Sequence, residues 1–115
     1  MGSAKRKNTR IRRMVKSGDC VACGASGSIY NPIDPAHVRS FKISQNDEPW
    51  NLTPLCRKCH TLQHQFGWIY LIVIYSNLAR DLEAKGWEFT KLADGSFKMS
   101  NAKEVELNEM RRGNG

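Results

Sequence analysis

The chain has 115 residues, 40% of them hydrophobic and 25% charged, with a formal net charge of +7 and a pI of about 9.5. That length suits one domain with a modest core, which a structural metal would help to hold. The only long apolar run has eight residues, and a spanning helix needs roughly 20, which excludes a membrane span there. The cationic excess favours a polyanionic partner, most often nucleic acid, over a merely solvated basic surface.

Residues 1–17 read as a basic arm. Lys5, Arg6, Lys7, Arg10, Arg12, Arg13 and Lys16 all precede the first acid, Asp19, and carry the whole net charge, because the other eleven Lys and Arg balance the eleven acids. Such an arm is expected to track phosphates and to stay disordered until it binds. A solubilising tail is the plainer alternative. No hydrophobic segment of a secretory signal is read, so a cytoplasmic location is expected.

Residues 18–115 read as one domain. Its four cysteines, Cys20, Cys23, Cys56 and Cys59, form two CxxC pairs with 32 residues between them. Two such knuckles bring four thiolates into a tetrahedron around Zn²⁺. Turn-forming glycines surround the first pair in "SGDCVACGASGS". Two disulfides would need an oxidising compartment, for which there is no signal.

The three histidines are His37, His60 and His64. His60 directly follows Cys59, and His64 lies four residues later. On a helix the two share one face and are spaced to grip one ion. "RKCHTLQHQF" contains no Pro or Gly, and Gly67 supplies an end. His37 lies in "NPIDPAHVRSF", whose prolines set an extended or turning backbone.

The order CxxC, His, Asn, CxxCH resembles the HNH endonucleases over about positions 18–67. Asn51 precedes Cys56 by five residues and His60 by nine, as that pattern requires. "AHVRS" followed by "PLCRKCHTLQHQFG" is similar to small phage and prophage HNH proteins. The resemblance implies an α+β fold with a ββα-metal core: a β-hairpin and a helix clamped on one divalent ion, with a structural zinc held by the CxxC knuckles. It implies a metal-dependent DNA endonuclease or nickase that hydrolyses phosphodiesters. His37 matches the general base, Asn51 the residue that orients it or braces the hairpin, and His60 and His64 ligands of the catalytic ion.

One position departs from the pattern. Many members place a metal-ligating Asp or His directly before the base, and here Ala36 stands there. Asp34 lies two residues earlier, on the same face of an extended strand, and is expected to substitute. The other arrangement has His37 itself ligating the ion. Two imidazoles favour Zn²⁺, Ni²⁺, Co²⁺ or Mn²⁺, and a carboxylate makes Mn²⁺ or Mg²⁺ easier. A non-catalytic zinc-ribbon DNA-binding module is the alternative that Ala36 supports.

Beyond the core, "WIYLIVIYSNLARDLEAKG" reads as one long helix over about 68–85, capped by Gly86. "WEFTKLADGSFKM" reads as a hairpin with its turn at "ADGS". Residues 101–115 read as a loose tail that opens with a short polar helix. Arg10, Arg12 and Arg13 of the arm, and Arg39 and Lys42 beside the site, are the expected DNA contacts. Other phage or recombination proteins are further expected partners, and the chain is expected to be a monomer or weak dimer.

Overall fold

The computed structural model describes residues 8–40 and 47–113. Asn8 opens α1 (Thr9–Lys16), its side-chain oxygen accepting the Ile11 N–H at 3.1 Å. This is the usual way a helix satisfies one of its orphan donors. The arm expected to be disordered until it binds is thus folded from residue 9 and docked on the sheet that follows. The reason is Arg12, which turns inward to the buried Asp47. That partner is 35 residues away, and the charge run gave no sign of it.

Strands β1 (Ile33–His37) and β2 (Leu52–Cys56) form an antiparallel pair, with Ile33 opposite Cys56 and His37 opposite Leu52. Each strand contains a proline, and Pro35 faces Pro54. The hydrogen bonds Val38 N–H to Asn51 C=O (2.9 Å) and Arg57 N–H to Pro32 C=O (2.8 Å) bracket the pair. By alternation the two prolines therefore fall at a non-hydrogen-bonded position, where neither needs the N–H it lacks. The Pro54 carbonyl instead accepts the Val21 N–H at 3.0 Å. That bond ties the first cysteine knuckle to the edge of β2.

Helix α2 (Arg57–Phe66) follows β2 without a loop, giving the ββα order. It ends at Gly67, whose φ of +90° is accessible to glycine at little cost. The single long helix expected over 68–85 is two helices, α3 (Trp68–Ile74) and α4 (Ser76–Ala84). They break at Tyr75, which is extended with φ −115° and ψ 97°. Its N–H still reaches the Leu71 carbonyl at 2.7 Å, and its carbonyl accepts the Leu78 N–H at 3.1 Å. The β-branched Ile72, Val73 and Ile74 before the break are poor helix formers. The bend also lets Leu71 on α3 and Leu78 and Leu82 on α4 all reach the core, each fully buried.

Strands β3 (Trp87–Lys91) and β4 (Phe97–Asn101) form the expected hairpin. Trp87 is buried, packs on Trp50 with ring centroids 5.8 Å apart, and donates its indole N–H to the Trp50 carbonyl at 2.8 Å. Phe97 is exposed, paired with Lys91 at the turn end of the hairpin. The tail is more ordered than expected: α5 spans Ala102–Gly113. Asn101 caps it by accepting the Lys103 N–H at 3.0 Å. The core runs from Cys20 and Ile33 through Trp50, Leu55, Leu71, Leu78 and Leu82 to Trp87. No helix in the described residues is long and apolar enough to cross a membrane.

Candidate active site

The two knuckles converge. The Sγ atoms of Cys20, Cys23, Cys56 and Cys59 all lie within 4.8 Å of one another. Cys23 and Cys56 are 3.7 Å apart, against about 3.8 Å for two sulfurs on a tetrahedral zinc with bonds of about 2.3 Å. The four are free thiols, so no disulfide competes for them. Gly24, at φ +81°, lets the first knuckle close, with its N–H on the Cys20 carbonyl at 2.9 Å. Burial pushes Cys56 up, but the Cys59 N–H and the Asn31 side chain outweigh it and hold that thiol at about 7. Burial and the Cys20 charge push Cys59 up. Four sulfurs crowded without a cation repel one another in this way, and the donor set fits a divalent soft-ligand metal such as zinc.

One residue past Cys59, α2 presents His60 and His64. Their Nε2 atoms are 3.1 Å apart, as residues one turn apart on one helix face should be. Asp34 meets the same pair from β1, with Oδ2 3.0 Å from His60 Nδ1. Its carboxylate also takes both ends of the Arg57 guanidinium, at 2.7 and 2.9 Å. The Arg57 hydrogen bond holds Asp34 below the usual carboxylate range, against the opposing effect of burial. Among the described residues, the four cysteines are the one group of three or more metal-binding side chains whose donor atoms all lie within 4.8 Å. The carboxylate sits on the Nδ1 side of His60, while His64 sits on its Nε2 side. Ala36, the departure from the pattern, is fully buried on the same face as Asp34.

His37 ends β1, and its Nε2 is 2.7 Å from Oδ1 of Asp47. Asp47 was not among the residues that sequence reasoning selected. Its only signal was an acid in "QNDEPW", between His37 and Asn51. Asn51 is fully buried, and its amide clips residue 39 at both ends. Oδ1 accepts the Arg39 N–H at 2.8 Å, and Nδ2 donates to the Arg39 carbonyl at 3.0 Å.

The expected DNA contacts divide. Arg10 and Arg13 are exposed, as is Lys16. Arg12 and Arg39 each hold a carboxylate instead: Arg12 that of Asp47, and Arg39 that of Glu104 at 2.7 and 3.1 Å. Arg39 also lies 5.6 Å from the centre of the Trp87 ring, so it anchors the C-terminal hairpin to the core. Lys42 lies outside the described residues.

Residues 20–66 match the family model for HNH endonucleases. No curated protein and no solved structure matches the chain. The matched segment starts at the first zinc-knuckle cysteine and ends with the last residue of α2.

Proposed function

We infer, on the premise that residues 20–66 form an HNH endonuclease domain, that the protein is a metal-dependent DNA endonuclease or nickase. The observation that carries this reading is the convergence of Asp34, His60 and His64 where β1 meets α2, beside a four-cysteine site built on the same helix. His60 Nε2 and His64 would hold a catalytic divalent ion. Asp34, bonded to Nδ1 of His60, orients that ring as carboxylates behind metal-bound imidazoles do. It would become a third ligand only by releasing an oxygen from Arg57. When bound, the ion supplies charge stabilisation for the attacked phosphate and the leaving 3′ oxygen.

His37 takes the proton from the attacking water, a task that a neutral imidazole nitrogen can perform. It stands three residues from Asp34 on β1, on the opposite face by strand alternation. Asn51 braces the chain just past His37. Arg10, Arg13 and Lys16 supply phosphate contacts along α1, which carry no sequence information of their own.

The test is calorimetric titration of the zinc-loaded protein with Mn²⁺ or Ni²⁺, beside nicking of a supercoiled plasmid in the same metals. Wild type is expected to bind one further ion per chain and to nick only with it. His60→Ala and His64→Ala are expected to lose both. Nicking that persists in both variants would remove these two residues from the mechanism.

A second reading has a specific observation in its favour. Both Asp34 oxygens are engaged by Arg57, and Ala36 offers no ligand, which suits a zinc-ribbon module that binds DNA without cutting it. That module would bind plasmid and nick it in none of the metals.

A further inference from the structure

Among the described residues, Asp47 is the one buried acid, its side chain 1% exposed. Both of its oxygens are taken. Oδ2 accepts the Asn8 backbone N–H at 2.6 Å and Arg12 Nε at 2.7 Å. Oδ1 accepts Arg12 Nη2 at 3.0 Å and lies 2.7 Å from His37 Nε2. Two of the three donor residues belong to α1 and its cap, and the third is the residue assigned as base. A carboxylate taken out of water costs several kcal/mol unless it is paired and hydrogen-bonded. Here burial pushes the Asp47 carboxyl up, but the hydrogen bonds from Arg12, His37 and Asn8 outweigh it and leave the group ionised.

An ionised carboxylate only accepts hydrogen bonds. The proton in the His37–Asp47 contact therefore sits on Nε2, and Nδ1 becomes the basic atom of the ring. We propose that Asp47, locked by Arg12 and Asn8, is a positioning residue that holds His37 in the Nε2–H tautomer. On this account α1 is a working part of the active site and not an appended arm. The proposal rests on the reading of His37 as the base.

The faces of α1 support it. Arg10, Arg13 and Lys16 point to solvent, whereas Arg12 points to Asp47. One helix thus offers cations to a phosphate backbone on one side and fixes the partner of the base on the other. A charged run that served only DNA would have no reason to bury its third arginine against a carboxylate.

The experiment uses the full, zinc-loaded chain and reads the ring nitrogens of His37 by nitrogen NMR at neutral pH. Wild type is expected to show a protonated Nε2 and an unprotonated Nδ1. Asp47→Asn is expected to mix or reverse the two, Arg12→Gln to do so in part, and Arg12→Lys to restore the wild-type pattern. Zinc content and circular dichroism establish that each variant is folded. If Asp47→Asn does not fold, the Arg12 pair carries the test. In plasmid nicking, Asp47→Asn is expected to lower kcat by about 10–100-fold, as loss of an orienting carboxylate does, with little change in KM.

A wild-type ring protonated on Nδ1, or an Asp47→Asn ring unchanged from wild type, would overturn the proposal. The NMR result does not depend on activity. A protein that shows the expected tautomers and nicks no DNA would therefore refute the nuclease reading and leave the positioning of His37 intact.

Discussion

Asn51 holds the backbone of Arg39 on both sides of its Cα, accepting its N–H at 2.8 Å and donating to its carbonyl at 3.0 Å. Arg39 is two residues beyond His37, so the clip fixes the path of the chain where it leaves β1. An amide has both a donor and an acceptor, and the site uses both. Bracing of the hairpin, one of the two roles expected for Asn51, would use a contact of this kind.

Replacing that amide removes one acceptor and one donor from the Arg39 backbone. Asn51→Ala is expected to cost roughly 1–3 kcal/mol of stability for the lost bonds. Asn51→Asp is expected to fare no better, since it keeps the acceptor and loses the donor. Urea denaturation of the zinc-loaded proteins measures both. A midpoint unchanged from wild type in either variant would show that the clip contributes nothing.

The cysteine site is expected to decide whether the domain folds. Structural zinc contributes on the order of 10 kcal/mol in small sites of this kind, which is comparable to the whole stability of a domain this size. Cys20→Ser or a strong chelator should abolish cooperative unfolding in circular dichroism, and wild type should carry one zinc per chain by elemental analysis. A metal-free protein with an unchanged melting transition would contradict this.

Asp47 predicts an acid limit for the docking of α1. Its carboxyl sits below its ordinary value of 3.8 in the folded protein. A depressed carboxyl stabilises fully above the unfolded value, and that stabilisation is lost as pH falls through the lower folded one. The carboxyl-carbon NMR shift of Asp47 should therefore titrate below 3.8, and the Arg12 contact should open in that same range. A midpoint at or above 3.8 would mean that Arg12, His37 and Asn8 do not outweigh burial.

The cysteine and histidine grouping was legible because it is local. Cys56, Cys59, His60 and His64 lie within nine residues of one another on one turn and helix, so spacing alone implies their geometry. Gly67 and the "ADGS" turn were readable for the same reason: each breaks a periodic segment by its own backbone chemistry. Asp34 was reachable through the period of a strand, but its bond to Nδ1 of His60 was not, because that depends on how α2 packs on β1. The Asp47 contacts were not legible at all. They join Asn8 and Arg12 to a position more than thirty residues away, and nothing in a run of cations says which one turns inward. The break at Tyr75 was missed because an apolar run shows burial without showing direction.

The most direct test of the account is nicking of supercoiled plasmid by zinc-loaded wild type and His37→Ala, in Mn²⁺ and again in EDTA. The account predicts open circles from wild type in Mn²⁺ and none in EDTA, with the rate reduced at least about 100-fold in His37→Ala while plasmid binding is kept. Equal nicking by the variant, or plasmid binding by wild type with no cleavage in Mn²⁺, Mg²⁺, Ni²⁺ or Zn²⁺, would contradict it.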